Sequence, residues 1–288
     1  MKRRSGLGVA LGVVASLAFA GGTMAFTGPT NPSFELGTYV DGGSGFEQLN
    51  VGDTSLDGWT VDSGSVDWID TYWPAADGSK SIDLSGAEAG AISQTFDTTI
   101  GNTYTVTFAL SGNPAGDPAV KTLDVSATGG SVSSYSYDVT ALGNDLTNMN
   151  WTSASYTFLA TSATTTLSFV STTDGVFGPA IDNVVVSESV PVKDDCKNGG
   201  WQSMIDNAGN TFKNQGDCVS YFATKGKNLG AGGPLVTAAN AATDAAATST
   251  KHATKHVTTS SEKHSTKHAA KLKATTKSHG HGGSKHSK

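Results

Sequence analysis

The chain is expected to fold as an all-β protein, an antiparallel two-sheet β-sandwich, on three observations. Strand-like runs recur at short intervals from Asn31 to Val186, which is the spacing of a sandwich or barrel and not of βαβ units. Within those runs apolar residues alternate with Thr, Ser and Asp, the period of two that buries one face of a strand. Glycine-rich turns separate the runs, and no helical period competes over this range.

The elements follow in order. Trp59 in DGWT is read as a buried anchor between strands, and Val66 and Trp68 share one face of SVDWI, which places Trp68 in the core. Tyr104, Val106, Phe108 and Leu110 alternate with Thr105, Thr107 and Ala109, so one face of this strand points inward. Leu123, Val125 and Ala127 repeat the arrangement; Tyr156 with Phe158, Leu167 with Phe169, and Ile181 to Val186 continue it. Ile100-Gly101-Asn102-Thr103 is predicted to join two strands as a hairpin turn, Gly and Asn accepting positive φ.

The two ends differ from this body. Lys2-Arg3-Arg4 followed by the apolar run Leu7 to Ala20 predicts a secretory signal over residues 1–25, with cleavage after Thr23-Met24-Ala25, and no membrane span after cleavage. Export places Cys196 and Cys218 in an oxidising compartment, where they are expected to pair and staple a small unit over residues 191–228. An Ala/Gly/Thr linker over 229–250 then leads to a Lys/His-rich tail over 251–288, where nine lysines face the single acid Glu262 and disorder is predicted. The formal net charge of −6 thus hides an acidic body and a basic tail. From Phe26 to Val190 only Lys80 and Lys121 oppose many carboxylates, which argues against nucleic acid as a partner of the body, while the tail suits anionic wall polymers.

The body also lacks the commonest general base, since all seven histidines lie in the tail. No metalloprotease helix, serine-nucleophile elbow or phosphate-cradling loop is present, and no spacing selects a pair of carboxylates for glycoside hydrolysis. A non-catalytic binding module is the expectation. Sugar rings present apolar C–H faces to aromatic side chains and hydroxyls to polar rims, so aromatics beside acids are the place to look. Trp68, Tyr72 and Trp73 sit in DWIDTYWP beside Asp67, Asp70 and Asp77. With Trp68 read as core and Trp73 held out of helix by Pro74, the candidate ligand-binding set is Tyr72, Trp73, Asp70 and Asp77. Trp151 in NMNWT suits either core or rim.

The segments NPSFELG, GWTVDSGSVDWIDTYW, DGSKSIDLSG, AISQTF, YTVTFALSGN and GPAIDNV, in this order, resemble the bacterial choice-of-anchor C family and its relatives among plant cell-wall proteins of domain of unknown function 642. The resemblance covers about Asn31 to Val186 and implies a galactose-binding-like jelly roll, a fold shared by many carbohydrate-binding modules, with a glycan as the ligand class. It also implies a structural calcium ion on Glu35 and Asp182, two acids that pairing of the first and last strands would bring together. The expected protein is therefore secreted or cell-wall associated and binds polysaccharide without transforming it. The alternative is a structural or adhesive surface protein whose tail makes the contacts and whose sandwich is a spacer.

Overall fold

The computed structural model describes residues 26–235; the leader at 1–25, most of the linker and the whole basic tail fall outside the described residues. The body runs through β1 (Phe46–Asn50), β2 (Thr60–Ser63), β3 (Ser65–Ile69), β4 (Ser81–Asp83), β5 (Ala91–Asp97), β6 (Thr103–Gly112), β7 (Val120–Ala127), β8 (Ser133–Asp138), β9 (Thr152–Leu159), β10 (Thr164–Ser171) and β11 (Pro179–Ser189). One short helical turn, α1 (Val139–Leu142), follows β8 and is capped by the Asp138 carboxylate. Six strands form one sheet in the order β1-β3-β4-β11-β6-β9, and five form the other in the order β2-β5-β10-β7-β8. Neighbours pair antiparallel throughout, so the two-sheet sandwich read from the alternation is the fold.

The inward positions are those the period of two selected. Tyr104, Val106, Phe108 and Leu110 of β6, Leu123 and Val125 of β7, Tyr156 and Phe158 of β9, and Leu167 and Phe169 of β10 all enter one core. Phe108 and Phe169 meet across the two sheets with ring centroids 5.2 Å apart, and Trp59 reaches the same Phe169 at 6.2 Å. Each such side chain contributes roughly 1.5–3 kcal/mol on burial, an upper estimate against an extended unfolded chain. Two buried indoles also fix the opening segment, because Trp59 Nε1 donates to the Asn31 carbonyl at 3.0 Å and Trp68 Nε1 to the Phe34 carbonyl at 2.9 Å. That segment is irregular for a reason: Asn31 and Phe34 both hold left-handed backbone, φ 53° and 58°.

Two expectations change here. Gly101 does take positive φ, at 88°, but the turn at Ile100–Thr103 is no hairpin: β5 lies in the five-stranded sheet and β6 in the six-stranded one, so the turn carries the chain across the core. Strict alternation also breaks in β11, where Ile181 and Val184 are both buried in the core. A β-bulge at Asn183, φ 47°, absorbs the extra residue and returns Val184 and Val186 to the inner face.

The small C-terminal unit holds a 3-10 segment (Lys193–Ser203), β12 (Asn210–Thr211), α2 (Gln215–Ala223) and β13 (Gly233–Pro234). Cys196 and Cys218 are bridged as expected, and Met204, Phe212, Trp201, Tyr221 and Phe222 pack around the disulfide. The unit extends past Asn228: β13 pairs with β12, and the buried Asp206 carboxylate accepts Gly230 N at 2.8 Å. No helix among the described residues is long and apolar enough to cross a membrane.

Candidate functional site

The outer face of the six-stranded sheet is where this molecule departs from a plain sandwich. In β3 the core takes Val66 and Trp68, which turns Asp67 and Ile69 to the opposite face; in β4 Ile82 points inward and leaves Ser81 and Asp83 outward. An outward Ile would ordinarily meet water. Instead the loop from Asp70 to Lys80 folds back over the sheet, and Trp73 lies on Ile69, Met149 and Ala180 as a second apolar cluster, with Phe46, Tyr72 and Trp151 packed against it.

The loop is held from both of its flanks. Gly45 O accepts the N–H groups of Asp70, Thr71 and Tyr72 at 2.9, 3.1 and 3.2 Å. Asp182 Oδ2 accepts Ala76 N and Asp77 N, both at 2.8 Å, while its Oδ1 accepts Asn183 N at 2.6 Å. Glu35 Oε1 accepts Ser79 N and Lys80 N, each at 2.7 Å, and its Oε2 accepts Ser79 Oγ at 2.8 Å. Trp73 Nε1 donates to Ser81 Oγ at 2.9 Å, and Trp151 Nε1 to the Pro74 carbonyl at 3.0 Å. Gly78, φ 68°, passes so close to the Glu35 carboxylate that a side chain there has no room.

Between this loop and the sheet edge lies a cavity of about 220 Å³. Phe46, Tyr72 and Phe177 wall it, with Ile69 and Val176; Gln48, Asp67 and Asn113 supply its polar groups. Phe46 and Tyr72 meet edge to face with centroids 5.4 Å apart, which fixes the Tyr72 ring. Gly86 completes the lining, and a Cβ there would stand 2.8 Å from Ser65 Oγ and 3.0 Å from Asp67 Oδ1, so the backbone at this position packs closely against that carboxylate.

Below the cavity the electrostatics are unusual. Asp67 and Asp83 are register partners on β3 and β4. Asp83 is fully buried and well satisfied: Oδ1 accepts Ser85 N at 2.9 Å and Gly178 N at 3.1 Å, and Oδ2 accepts Asn113 Nδ2 at 2.8 Å. Asp67 Oδ1 is enclosed yet has no hydrogen-bond partner. Burial pushes Asp67 up to about 7. Burial likewise pushes Asp83 up to about 8, with the charge of Asp67 adding to it against the hydrogen bonds from Asn113, Ser85 and Gly178. An apolar-walled recess with one carboxyl, two amides and one fixed tyrosine ring suits a small polyhydroxylated ring: C–H faces on the aromatics, hydroxyls on the polar groups of Asp67, Gln48 and Asn113.

Of the four residues predicted to bind ligand, Tyr72 alone reaches this cavity. Trp73 is only 2 % exposed and acts as the bearing under the loop, because the outer face of the sheet has an apolar patch for it to cover. Asp70 pairs with Lys80 Nζ at 2.9 Å, and the exposed Asp77 accepts Ser33 Oγ at 2.6 Å; neither lines the cavity. Glu35 and Asp182 do converge on one loop, where each carboxylate takes three N–H or O–H donors. Trp68 is core, at 0 % exposure, and the half-exposed Trp151 borders a separate shallow groove with Thr107, Ala109, Ser153 and Asn183. Sequence reasoning passed over Phe46, Gln48, Asn113, Phe177 and the role of Asp67. The alternation that sent Trp68 inward already put Asp67 beside Ile69 on the outer face, and an outward Ile there was the signal that something covers it.

Residues 29–187 match the model of a family described as "Protein of unknown function (DUF642)". Halomucin of Haloquadratum walsbyi is 35% identical over 147 residues, an alignment that takes in 50% of this chain and 2% of that protein, so the chain spans a small fraction of this relative. Among solved structures, a CBM35 from Paenibacillus barcinonensis is 20% identical over 50% of this chain and 99% of its own, with a TM-score of 0.33. TmCBM61, solved in complex with beta-1,4-galactotriose, is 17% identical over 56% of this chain and 97% of its own, with a TM-score of 0.32. Superpositions this loose assign no ligand to the cavity described above.

Proposed function

Since the chain belongs to the DUF642 family of proteins of unknown function, over residues 29–187, we propose from its own geometry that it is a non-catalytic saccharide-binding protein of the cell surface. The observation that carries this reading is the cavity between Tyr72, Phe46 and Phe177, floored by Asp67 and reached by Gln48 and Asn113. A sugar ring enters with its apolar face on Tyr72, and its hydroxyls meet the polar groups of Asp67, Gln48 and Asn113 that line the recess. Hydrolysis is not part of the reading. A glycosidase places its two carboxyl groups on either side of the scissile bond, whereas Asp67 and Asp83 stand side by side on neighbouring strands and Asp83 is sealed beneath the surface.

The charged leader followed by an apolar run supports export, and the Lys/His tail supports retention on anionic wall polymers. These are sequence readings; both segments fall outside the described residues. The test is retention of the full chain on insoluble neutral polysaccharides, at low and high salt, beside Tyr72→Ala. Salt-resistant retention is expected, and truncating the ring should weaken it at least tenfold, about 1.4 kcal/mol, as for an aromatic anchor in a pocket. Unaltered binding by Tyr72→Ala would refute the site. Retention that disappears in salt for both proteins would instead favour the adhesive tail with the sandwich as spacer.

Calcium is left out of this reading on the chemistry of the donor set. A calcium ion takes six to eight oxygens, but Glu35 and Asp182 each face three hydrogen-bond donors, and no three metal-ligating side chains gather among the described residues. A chelator is therefore expected to leave the melting temperature of the full chain unchanged. A chelator-induced drop that vanishes in Asp182→Ala would restore the ion.

A further inference from the structure

We propose that the outer face of the six-stranded sheet carries a second glycan subsite, a shallow groove beside Trp151 that takes a disaccharide-length stretch of an uncharged linear polysaccharide. The ligand class rests on the saccharide reading above; the place is separate, since the groove and the cavity share no lining residue. The groove has a volume of about 220 Å³ and lies over β11, β6 and β9. Strand register builds it: Thr107 and Ala109 of the middle strand stand opposite Val185 of β11 and Ser153 of β9, respectively.

Local features open it and wall it. Ala109 puts only a methyl group on the floor. The bulge of β11 holds Asn183 at φ 47° and exposed along one flank, next to Val185, which is 48 % exposed. Trp151 stands half-exposed at the border with its Nε1 held on the Pro74 carbonyl at 3.0 Å, so the ring is already ordered before a ligand arrives.

The lining selects the ligand. The body is acidic, yet no charged side chain lines the groove. Among the described residues, the Thr107 and Ser153 hydroxyls and the Asn183 amide make no hydrogen bond to protein, whereas farther along the same strands Thr105 Oγ1 and Thr157 Oγ1 bond each other at 3.3 Å and Ser187 Oγ donates to the Thr105 carbonyl at 3.3 Å. A fixed indole, an exposed Val and three free hydrogen-bonding groups match the two characters of a pyranose: C–H faces on Trp151 and Val185, hydroxyls on Thr107, Ser153 and Asn183. Strands about 4.8 Å apart give a floor about 10 Å across, which suits a stretch of chain in place of one enclosed ring. A stable protein partner engages about 20–30 residues a side, against the eight that line this groove.

Isothermal titration of the full chain with β-linked hexasaccharides of glucose, xylose, mannose and galactose, and with a hexagalacturonate as the charged control, tests this. The deciding background is Tyr72→Ala, in which the cavity has lost its ring. There a neutral hexasaccharide should still bind, the hexagalacturonate should bind at least tenfold more weakly, and adding Thr107→Arg, which fills the groove from β6 without touching the loop above Ile69, should weaken the neutral ligand at least tenfold. Trp151→Ala should do the same; because it also releases Pro74, Thr107→Arg decides alone if circular dichroism shows that variant unfolded. Neutral binding that is unchanged by Thr107→Arg, or matched by the hexagalacturonate, overturns the proposal. Binding lost entirely in Tyr72→Ala overturns the groove and leaves the cavity standing, whereas binding untouched by Tyr72→Ala and lost in Thr107→Arg supports the groove and removes the cavity. Failure of every hexasaccharide to bind the unmodified protein removes both.

Discussion

Replacing Trp73 with alanine is expected to lower the unfolding free energy by about 3–5 kcal/mol, the usual cost of deleting a buried large aromatic, and to abolish saccharide retention. Trp73 fills the second apolar cluster against Ile69, Met149 and Ala180 at 2 % exposure, and its indole N–H satisfies Ser81. Removing it leaves a void under the loop, strands the Ser81 hydroxyl and takes away the surface on which Tyr72 rests, since the two rings meet at 5.4 Å. Trp73→Phe separates the contributions. It keeps most of the packing and loses one neutral hydrogen bond, near 1 kcal/mol, so its binding should survive in large part. Denaturant unfolding and polysaccharide retention, read on the same samples, decide the matter; an alanine variant with native stability would show that the loop stands without its bearing.

The second large effect concerns acidity. Three carboxyls are raised by burial in the folded state, Asp67 and Asp182 to about 7 and Asp83 to about 8, from an ordinary value of 3.8. Between the ordinary value and the raised one the folded protein holds protons that the unfolded chain has released. Stability therefore falls as pH rises through this window and recovers as pH is lowered through it. The carboxyls held below their ordinary range, among them Glu188 through Tyr104 and Asp145 through Thr147, lose their contribution only at more acid pH, so they do not oppose the trend inside the window. Melting temperature should climb by several degrees from about pH 8 to about pH 5, at roughly 2–4 °C for each kcal/mol in a domain of this size. Asp83→Asn should flatten the slope. A melting temperature that is level or falls on acidification would mean that these carboxyls are ionised inside the fold.

Much of this architecture is legible in the residues because period-two burial is a local signal: Tyr104 to Leu110 states its inner face within seven positions. Pairing of the only two cysteines is equally direct once export is expected from the leader. What stayed hidden needs contacts distant in sequence. The turn at Gly101 looks the same whether it closes a hairpin or crosses between sheets, since its dihedral angles do not record which sheet the next strand joins. Trp73 reads as a rim aromatic until the loop is seen lying on Ile69, and Phe177 and Asn113 carry no local mark of sharing a cavity with Tyr72. The two acids of the opening and closing segments both reach one loop, but whether their partners are a cation or amide N–H groups depends on that loop, which lies 44 residues along the chain from Glu35 and 105 from Asp182.

The clamp on that loop has one more implication. Glu35 comes from the opening segment and Asp182 from β11, the final strand of the sandwich, so the recognition surface is finished by the two extremities of the domain. A nascent chain that has yet to dock its last strand holds every aromatic wall of the recess in sequence but lacks Asp182, the anchor of the lid at Ala76 and Asp77. The shape of the recess is thus completed only when the last strand docks.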